Sequence, residues 1–549
     1  MWQSYDFSPK RSGRFQSENA FVSKVSRNFG ASTSTTNKTT TNMRTPLLLA
    51  AAGLALTATG QRTTTTRPNV ILLVADDLGY GDLSCYGATR VSTPCVDSLA
   101  DAGLRFTDAH ACAATSTPSR FSLLTGVYPF RQRGTDVAAG NAGMIINKDR
   151  YTVADAFQTA GYKTAALGKW HLGLGSRTAE QDWNGQLDQS PADIGFDYHY
   201  IMAATADRVP CVFIEQGRIA NYDPSAPVAV SYRKNFDGEP TGRSNPELLT
   251  KLHPSHGHDQ SIVNGISRIG YMKGGGSALW RDEDIADSIT AHAIGFIEQH
   301  AAEPFFMYLC TNDVHVPRYP HERFRGKSPM GLRGEAILQF DWTVRQVTDA
   351  LRRLGLADNT LIIITSDNGP VLDDGYDDQA VVLAGDHRPG GPLRGAKYSA
   401  FEAGSVVPFI VHWPGRVKAG TSDALVSQID NLASLAALVG TPVPTGAAAD
   451  SHDALATWLG DSRASRDYAV KLSANHNLVV TTERWKYIPA HSGGPKITWG
   501  PDVETGNAPV PQLYDHRSDI GERHNVAPTH QRVVSELDAL LEAVKAGRR

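Results

Sequence analysis

The chain has 549 residues, 41% of them hydrophobic, with 57 acidic and 53 basic side chains and a formal net charge of −4. So even a balance, with no basic run, excludes a nucleic-acid binder that works through a charged face. The length predicts about two to four domains and room for a large core.

Residues 1–42 are polar, rich in Ser, Thr and Asn, and show no apolar periodicity. They read as an extension that is either disordered or untranslated. Met43-Arg44 opens a basic start, and residues 47–57 form an unbroken run of apolar and small residues that ends in Ala58-Thr59-Gly60. This pattern predicts a secretory signal peptide over 43–60, with translation starting near Met43, and a polar linker over 61–67. The expected destination is the periplasm or the exterior. The run is shorter than the roughly 20 residues a membrane span needs, and no transmembrane anchor is predicted anywhere. The five cysteines form no CxxC pair, which excludes zinc ribbons and thioredoxin-like motifs and leaves a single disulfide open.

Asn69 begins a continuous apolar run to Ala75, the pattern of a buried parallel strand. It ends in Asp76-Asp77. A helix is expected over 95–103. Next comes Ser116-Thr117-Pro118-Ser119-Arg120, where a helix starting near Thr117 places Ser116 at its positive end and Arg120 one turn along. That is either an anion site with a hydroxyl at its floor or an ordinary capped helix. A second strand over 162–167 runs into Lys169 and His171. The long stretch 172–280 is poor in apolar runs and reads as a functional insertion. It carries Asp207-Arg208 and the histidines 253, 256 and 258, which fit a transition-metal site or a substrate-facing loop. Strands over 304–310 and 361–365 end in Asp313-Val314-His315 and Asp367-Asn368. A fifth strand spans 407–412, and helices are predicted over 284–300, 337–354 and 428–438. Composition shifts near Gly440, leaving shorter strands and a terminal helix over 532–546.

Strands alternating with helices predict an α/β fold, with a largely parallel central sheet sandwiched by helices. The main domain spans 68–440, and 441–549 forms a smaller α+β subdomain with a short antiparallel sheet. Ligands of such sheets sit beyond the carboxyl ends of the strands, so four clusters distant in sequence converge on one rim. Asp76, Asp77, Asp367 and Asn368 offer only oxygen, which suits Ca²⁺ or Mg²⁺ rather than zinc. Lys169, His171, His315 and Lys397 add positive charge and proton donors.

Ser116-x-Pro118-x-Arg120 followed by Leu123-Leu124-Thr125-Gly126 resembles the signature of the type I sulfatases, in its serine form. Val74 to Asp82, Gly168-Lys169-Trp170-His171, Asp313-Val314-His315, Ser366-Asp367-Asn368-Gly369 and Leu393-Arg394-Gly395-Ala396-Lys397 are similar to the other blocks of that family. So is Gln512-Leu513-Tyr514-Asp515 with Asp519, Glu522 and Asn525. The resemblance implies an alkaline-phosphatase-like fold. It implies one calcium ion bound by Asp76, Asp77, Asp367, Asn368 and residue 116, with Ser116 converted to Cα-formylglycine by a maturase. It also implies catalytic roles for Arg120, Lys169, His171, His315 and Lys397. A sulfated carbohydrate is the expected substrate, with Asp207, Arg208, His387 and Arg388 as a sugar-binding rim. Two alternatives stand beside it: a phosphomonoester or phosphonate hydrolase of the same superfamily, and a non-catalytic glycan-binding relative.

Overall fold

The computed structural model describes residues 67–548. The expected N-terminal extension, signal peptide and all but the last residue of the linker lie outside the described residues.

The central sheet has ten strands. In chain order these are β1 (Asn69–Ala75), β2 (Leu104–Phe106), β3 (Lys163–Lys169), β4 (Tyr198–Met202), β5 (Phe213–Glu215), β6 (Arg218–Ile219), β7 (Phe305–Cys310), β8 (Thr360–Ser366), β9 (Phe409–His412) and β10 (Gly420–Ser422). Across the sheet they run β10-β2-β9-β8-β1-β7-β3-β4-β5-β6. The five from β8 to β4 are mutually parallel. The flanks are not. β9 pairs antiparallel with β8, and β5 antiparallel with β4. The fifth apolar run of the sequence therefore borders the parallel set instead of extending it. A run buried on both faces looks the same in either direction.

Every residue of β1 is buried, so both faces of the sheet must be covered. Two helix groups do this. α1 (Pro94–Asp101), α4 (Ile285–Gln299) and α5 (Gly331–Arg353) pack together, as do α2 (Ser116–Thr125), α3 (Val153–Thr159) and α6 (Asn431–Val439). α5 starts six residues before its apolar pattern does, because its first turns bury polar groups. Arg333 there makes a two-pronged pair with Asp82, both contacts at 2.7 Å.

The stretch 172–280 is more than a loop. It supplies β4, β5 and β6, whose Tyr-His-Tyr-Ile-Met start is too short and mixed to signal a strand by itself. Beyond residue 441 a four-stranded antiparallel sheet, β11 (Ala469–Leu472), β12 (Leu478–Thr481), β13 (Trp485–Ile488) and β14 (Gln512–Asp515), is backed by α7 (Gln531–Lys545). Its first strand reaches back to the main sheet's rim. Ala114 N–H donates to the Leu472 carbonyl at 2.8 Å, two residues before Ser116. Buried Glu402 accepts from Lys486 at 2.6 Å and Thr481 at 2.8 Å, and its N–H donates to Glu522 at 2.7 Å.

All five cysteines carry free thiols, so the disulfide left open by the sequence does not form. Among the described residues no helix is long and apolar enough to cross a membrane.

Candidate active site

The parallel register sets the site. Val74 lies opposite Cys310, Cys310 opposite Gly168, and Ala75 opposite Ser366. The next residues of each strand therefore leave the sheet at one level, and the polar clusters of β1, β3, β7 and β8 meet. Gly168 makes the alignment possible: its φ is +84°, and a Cβ there would lie 1.8 Å from the Cys310 carbonyl oxygen. Three residues of the cleft, Asp77, His171 and Tyr398, hold left-handed backbone at φ +58°, +56° and +78°. Each costs about 1–3 kcal/mol, a cost that clusters where function fixes the geometry.

Ser116 is the first residue of α2, one place before the expected start, and all ten residues of that helix are buried. Its Oγ donates to Asp367 Oδ2 at 2.7 Å. Arg120, one turn along, donates from Nε to Ser116 Oγ at 3.1 Å and to Asp367 Oδ2 at 3.0 Å. His171 Nδ1 lies 3.3 Å from Ser116 Oγ, and its Nε2 lies 3.0 Å from the Ala138 carbonyl oxygen. A carbonyl only accepts, so Nε2 carries the hydrogen and Nδ1 faces residue 116 as an acceptor. Burial first, then the charges of Lys169 and Arg208, push the His171 pKa well below the ordinary histidine value. The imidazole is neutral at physiological pH and ready to take a proton.

Lys169 Nζ donates to Asp76 at 2.6 Å, and Lys397 Nζ donates to Asp77 and Asp374, both at 2.8 Å. Burial works against the charged form of Lys397, yet Asp374 and Asp77 win and hold its pKa well above the usual lysine range. His315 donates from Nδ1 to the Val316 carbonyl at 2.7 Å, leaving Nε2 on the side of Asp77, 3.7 Å from Oδ2.

These groups fit a hard cation. Asp76 Oδ2 and Asn368 Oδ1 are buried oxygens without a hydrogen-bond partner. Burial pushes the Asp76 carboxyl up to about 6 against the pull of Lys169 and His315, so the protein alone undercompensates it. The cleft and its floor hold five carboxylates (Asp76, Asp77, Asp207, Asp367, Asp374) against four fixed cations (Arg120, Lys169, Arg208, Lys397). One divalent ion turns that net negative charge positive, which favours an anionic substrate.

The same cleft brings in Asp207 and Arg208, paired at 2.9 Å, and His258, whose Nε2 lies 3.0 Å from Asp207 Oδ2. Arg208, and then His315 and His258, hold Asp207 well below the carboxylate range although burial alone would raise it. The three histidines of 253–258 form no metal-ligand group among the described residues. His258 faces the cleft as part of a polar wall. His387 and Arg388 do not join this cleft. His387 is buried against Asp82 at 2.8 Å, beside Arg333, and the two border a separate surface groove. A His-Arg pair near a Gly-rich loop reads alike whether it meets a sugar or completes a buried ion pair.

Four cleft residues carried no distinct sequence signal. Asp374 sits in an Asp-Asp-Gly turn, and Val137, Tyr398 and Trp499 stand outside any catalytic spacing. The proximity of Tyr398 to Lys397 was the only pointer.

A family model described as Sulfatase matches residues 68–441. The chain is 53% identical over 479 residues to an N-acetylgalactosamine-6-O-sulfatase of Bacteroides thetaiotaomicron, covering 87% of this chain and 93% of that protein. A solved structure from work on glycosaminoglycan metabolism by the same organism superposes with a TM-score of 0.86 at 53% identity, covering 88% of this chain and all of that one. Human arylsulfatase A is 30% identical over 500 residues, covering 88% and 86% of the two chains.

Proposed function

Because this chain belongs to the sulfatase family, we propose that it removes the 6-O-sulfate of an N-acetylgalactosamine unit in a sulfated glycan, outside the cytoplasm. The enzyme is a sulfuric ester hydrolase. The position and sugar follow the 53% identical relative. The observation that carries the chemistry is the Ser116 hydroxyl, held by Asp367 and His171 from two strand ends and by Arg120 from its own helix, at the floor of a charged cleft.

Conversion of Ser116 by a formylglycine-generating maturase would supply an aldehyde hydrate, with one hydroxyl to attack sulfur and a second whose deprotonation releases sulfate. A calcium ion held by Asp76, Asp77, Asp367, Asn368 and residue 116 would supply charge stabilisation and a lowered hydroxyl pKa. The chain's own groups do the rest. Arg120 and Lys169 hold the sulfate oxygens as negative charge redistributes. The S–O bond to the sugar breaks, and His315 Nε2, backed by the Lys397 ammonium, hands a proton to the departing sugar oxygen. His171 Nδ1 then accepts the proton from residue 116 that allows sulfate to leave. Asp207, Arg208 and His258 read the hydroxyls of the ring carrying the ester. The cleft encloses about 80 Å³, below the roughly 300–1,000 Å³ of sites that bury a whole small molecule. That suits the sulfate group and the ring atoms beside it.

The test compares inorganic sulfate release by matured protein from N-acetylgalactosamine 6-O-sulfate and 4-O-sulfate. The expected result is a kcat/KM at least about 100-fold higher for the 6-sulfate, in line with the roughly 1–3 kcal/mol that a buried polar group left unpaired by the wrong isomer costs. Equal rates, or a preference for the 4-sulfate, overturn the positional reading.

A further inference from the structure

Trp499 is 58% exposed, yet it lines the same cleft as Ser116. Eight large hydrophobic side chains are exposed among the described residues, and two of them, Trp499 and Val137, border this one cleft. A single exposed apolar residue is ordinary, but here an indole and a valine both border one polar, charged cleft.

Exposure orders the lining from floor to mouth. Ser116 and Asp207 are at most 3% exposed, Tyr398 is 9% exposed, and Trp499 is outermost. Trp499 stands edge-on to Tyr398, with ring centroids 5.2 Å apart and planes at 81°. The Tyr398 hydroxyl donates to Asp374 at 2.7 Å, and Asp374 in turn accepts from Lys397. The indole is thus propped against a side chain tied to the cleft floor.

The loop that carries it is fixed as well. Thr505 Oγ1 donates to the Gly494 carbonyl at 2.6 Å, and Ala400 N–H donates to the Thr505 carbonyl at 2.8 Å. A Cβ on Gly500 would lie 2.2 Å from His256 Nε2, so this loop seats closely against the loop that carries His256 and His258. Two segments more than 200 residues apart in sequence meet at the mouth, and one of them presents a tryptophan there.

A pyranose has a hydroxylated edge and an apolar C–H face. The polar wall of Asp207, Arg208 and His258 suits the edge. A flat aromatic surface suits the face, and Trp offers the largest one available. With the sulfate at Ser116 and its ring against the wall of Asp207, Arg208 and His258, the neighbouring ring of a glycan comes to the mouth, where Trp499 is outermost. We propose that Trp499, backed by Tyr398, forms a subsite for a second pyranose next to the sulfated one. The enzyme thereby prefers a sulfated ring in a chain over the free monosaccharide. This inference rests on the glycan-sulfatase reading.

The experiment measures kcat/KM of matured protein on N-acetylgalactosamine 6-O-sulfate and on two disaccharides. One extends that ring by an unsulfated pyranose at its anomeric carbon, the other at a ring hydroxyl. The wild type is expected to favour one disaccharide over the monosaccharide. In Trp499→Ala that ratio falls about tenfold, the equivalent of about 1.4 kcal/mol, within the range seen when an aromatic stacking partner is removed. Trp499→Phe keeps most of the ratio. A thermal melt matching the wild type shows that the fold is intact. No disaccharide preference in the wild type, or a ratio unchanged in Trp499→Ala, overturns the subsite. A wild type that releases sulfate from an aryl sulfate but from none of the three sugars overturns the glycan reading itself, and the subsite with it.

Discussion

Ser116→Ala loses sulfate release by roughly 10⁴–10⁶-fold, the scale on which removal of a covalent nucleophile acts in hydrolases. Wild-type chain produced without a maturase is expected to be about as inactive. The two preparations differ in a useful way. In both, Arg120, Asp367 and His171 still surround position 116, so the cleft retains its charge and binds the sulfate ester. The loss therefore falls on kcat, with KM changed little. An unmodified serine hydroxyl can attack sulfur, but the resulting ester has no second hydroxyl on the same carbon for His171 to deprotonate. Turnover then stops after one event. Rates from protein expressed with and without a formylglycine-generating enzyme, paired with the mass of the peptide containing residue 116, check this. Full activity in a preparation whose residue 116 is intact serine contradicts it.

Removing the metal is the second large effect. A chelator selective for calcium over magnesium is expected to cut the rate by at least about 100-fold, since a metal at such a site supplies several kcal/mol of charge stabilisation. The melting temperature falls in parallel. An ion present at a hundred times its dissociation constant stabilises the fold by about 2.7 kcal/mol, and that contribution vanishes with it. Calcium should restore both, magnesium poorly, because the site offers several carboxylate and amide oxygens rather than the water-rich octahedron magnesium prefers. Asn368→Ala is the informative variant. Asn368 Oδ1 is a buried oxygen without a hydrogen-bond partner, so its loss strips one ligand; Asp77 loses the 2.7 Å hydrogen bond from Asn368 Nδ2 but keeps its pairing with Lys397 at 2.8 Å. The calcium concentration for half-maximal rate should rise about 10- to 100-fold, on the scale of altered metal surroundings. No change in that concentration would mean that Asn368 does not face the ion.

Much of this site is legible in the sequence. The apolar runs of β1, β3, β7 and β8 each end in a polar cluster, and a parallel sheet must bring such ends to one rim. What periodicity could not give was the direction of β9 or the strands within 172–280. Phe409–His412 carries the same buried pattern whether it runs with its neighbour or against it, and Tyr198–Met202 mixes polar and aromatic residues on a strand of five. The four residues expected to form a rim divide. Asp207 and Arg208 lie in the cleft, while His387 turned inward to Asp82, a pairing set by the position of Arg333 on α5 far along the chain. Trp499 was out of reach for a related reason. Its place at the mouth depends on how the 494–505 loop seats against His256, which no local pattern encodes.

The most direct test sets sulfate against phosphate. Matured, calcium-loaded protein is given the 6-O-sulfate and the 6-O-phosphate of the same N-acetylgalactosamine, and release of the two anions is followed separately. Sulfate release should exceed phosphate release by at least about 100-fold in kcat/KM, about 2.7 kcal/mol of transition-state preference. Phosphate released as fast as sulfate, or faster, would contradict the account.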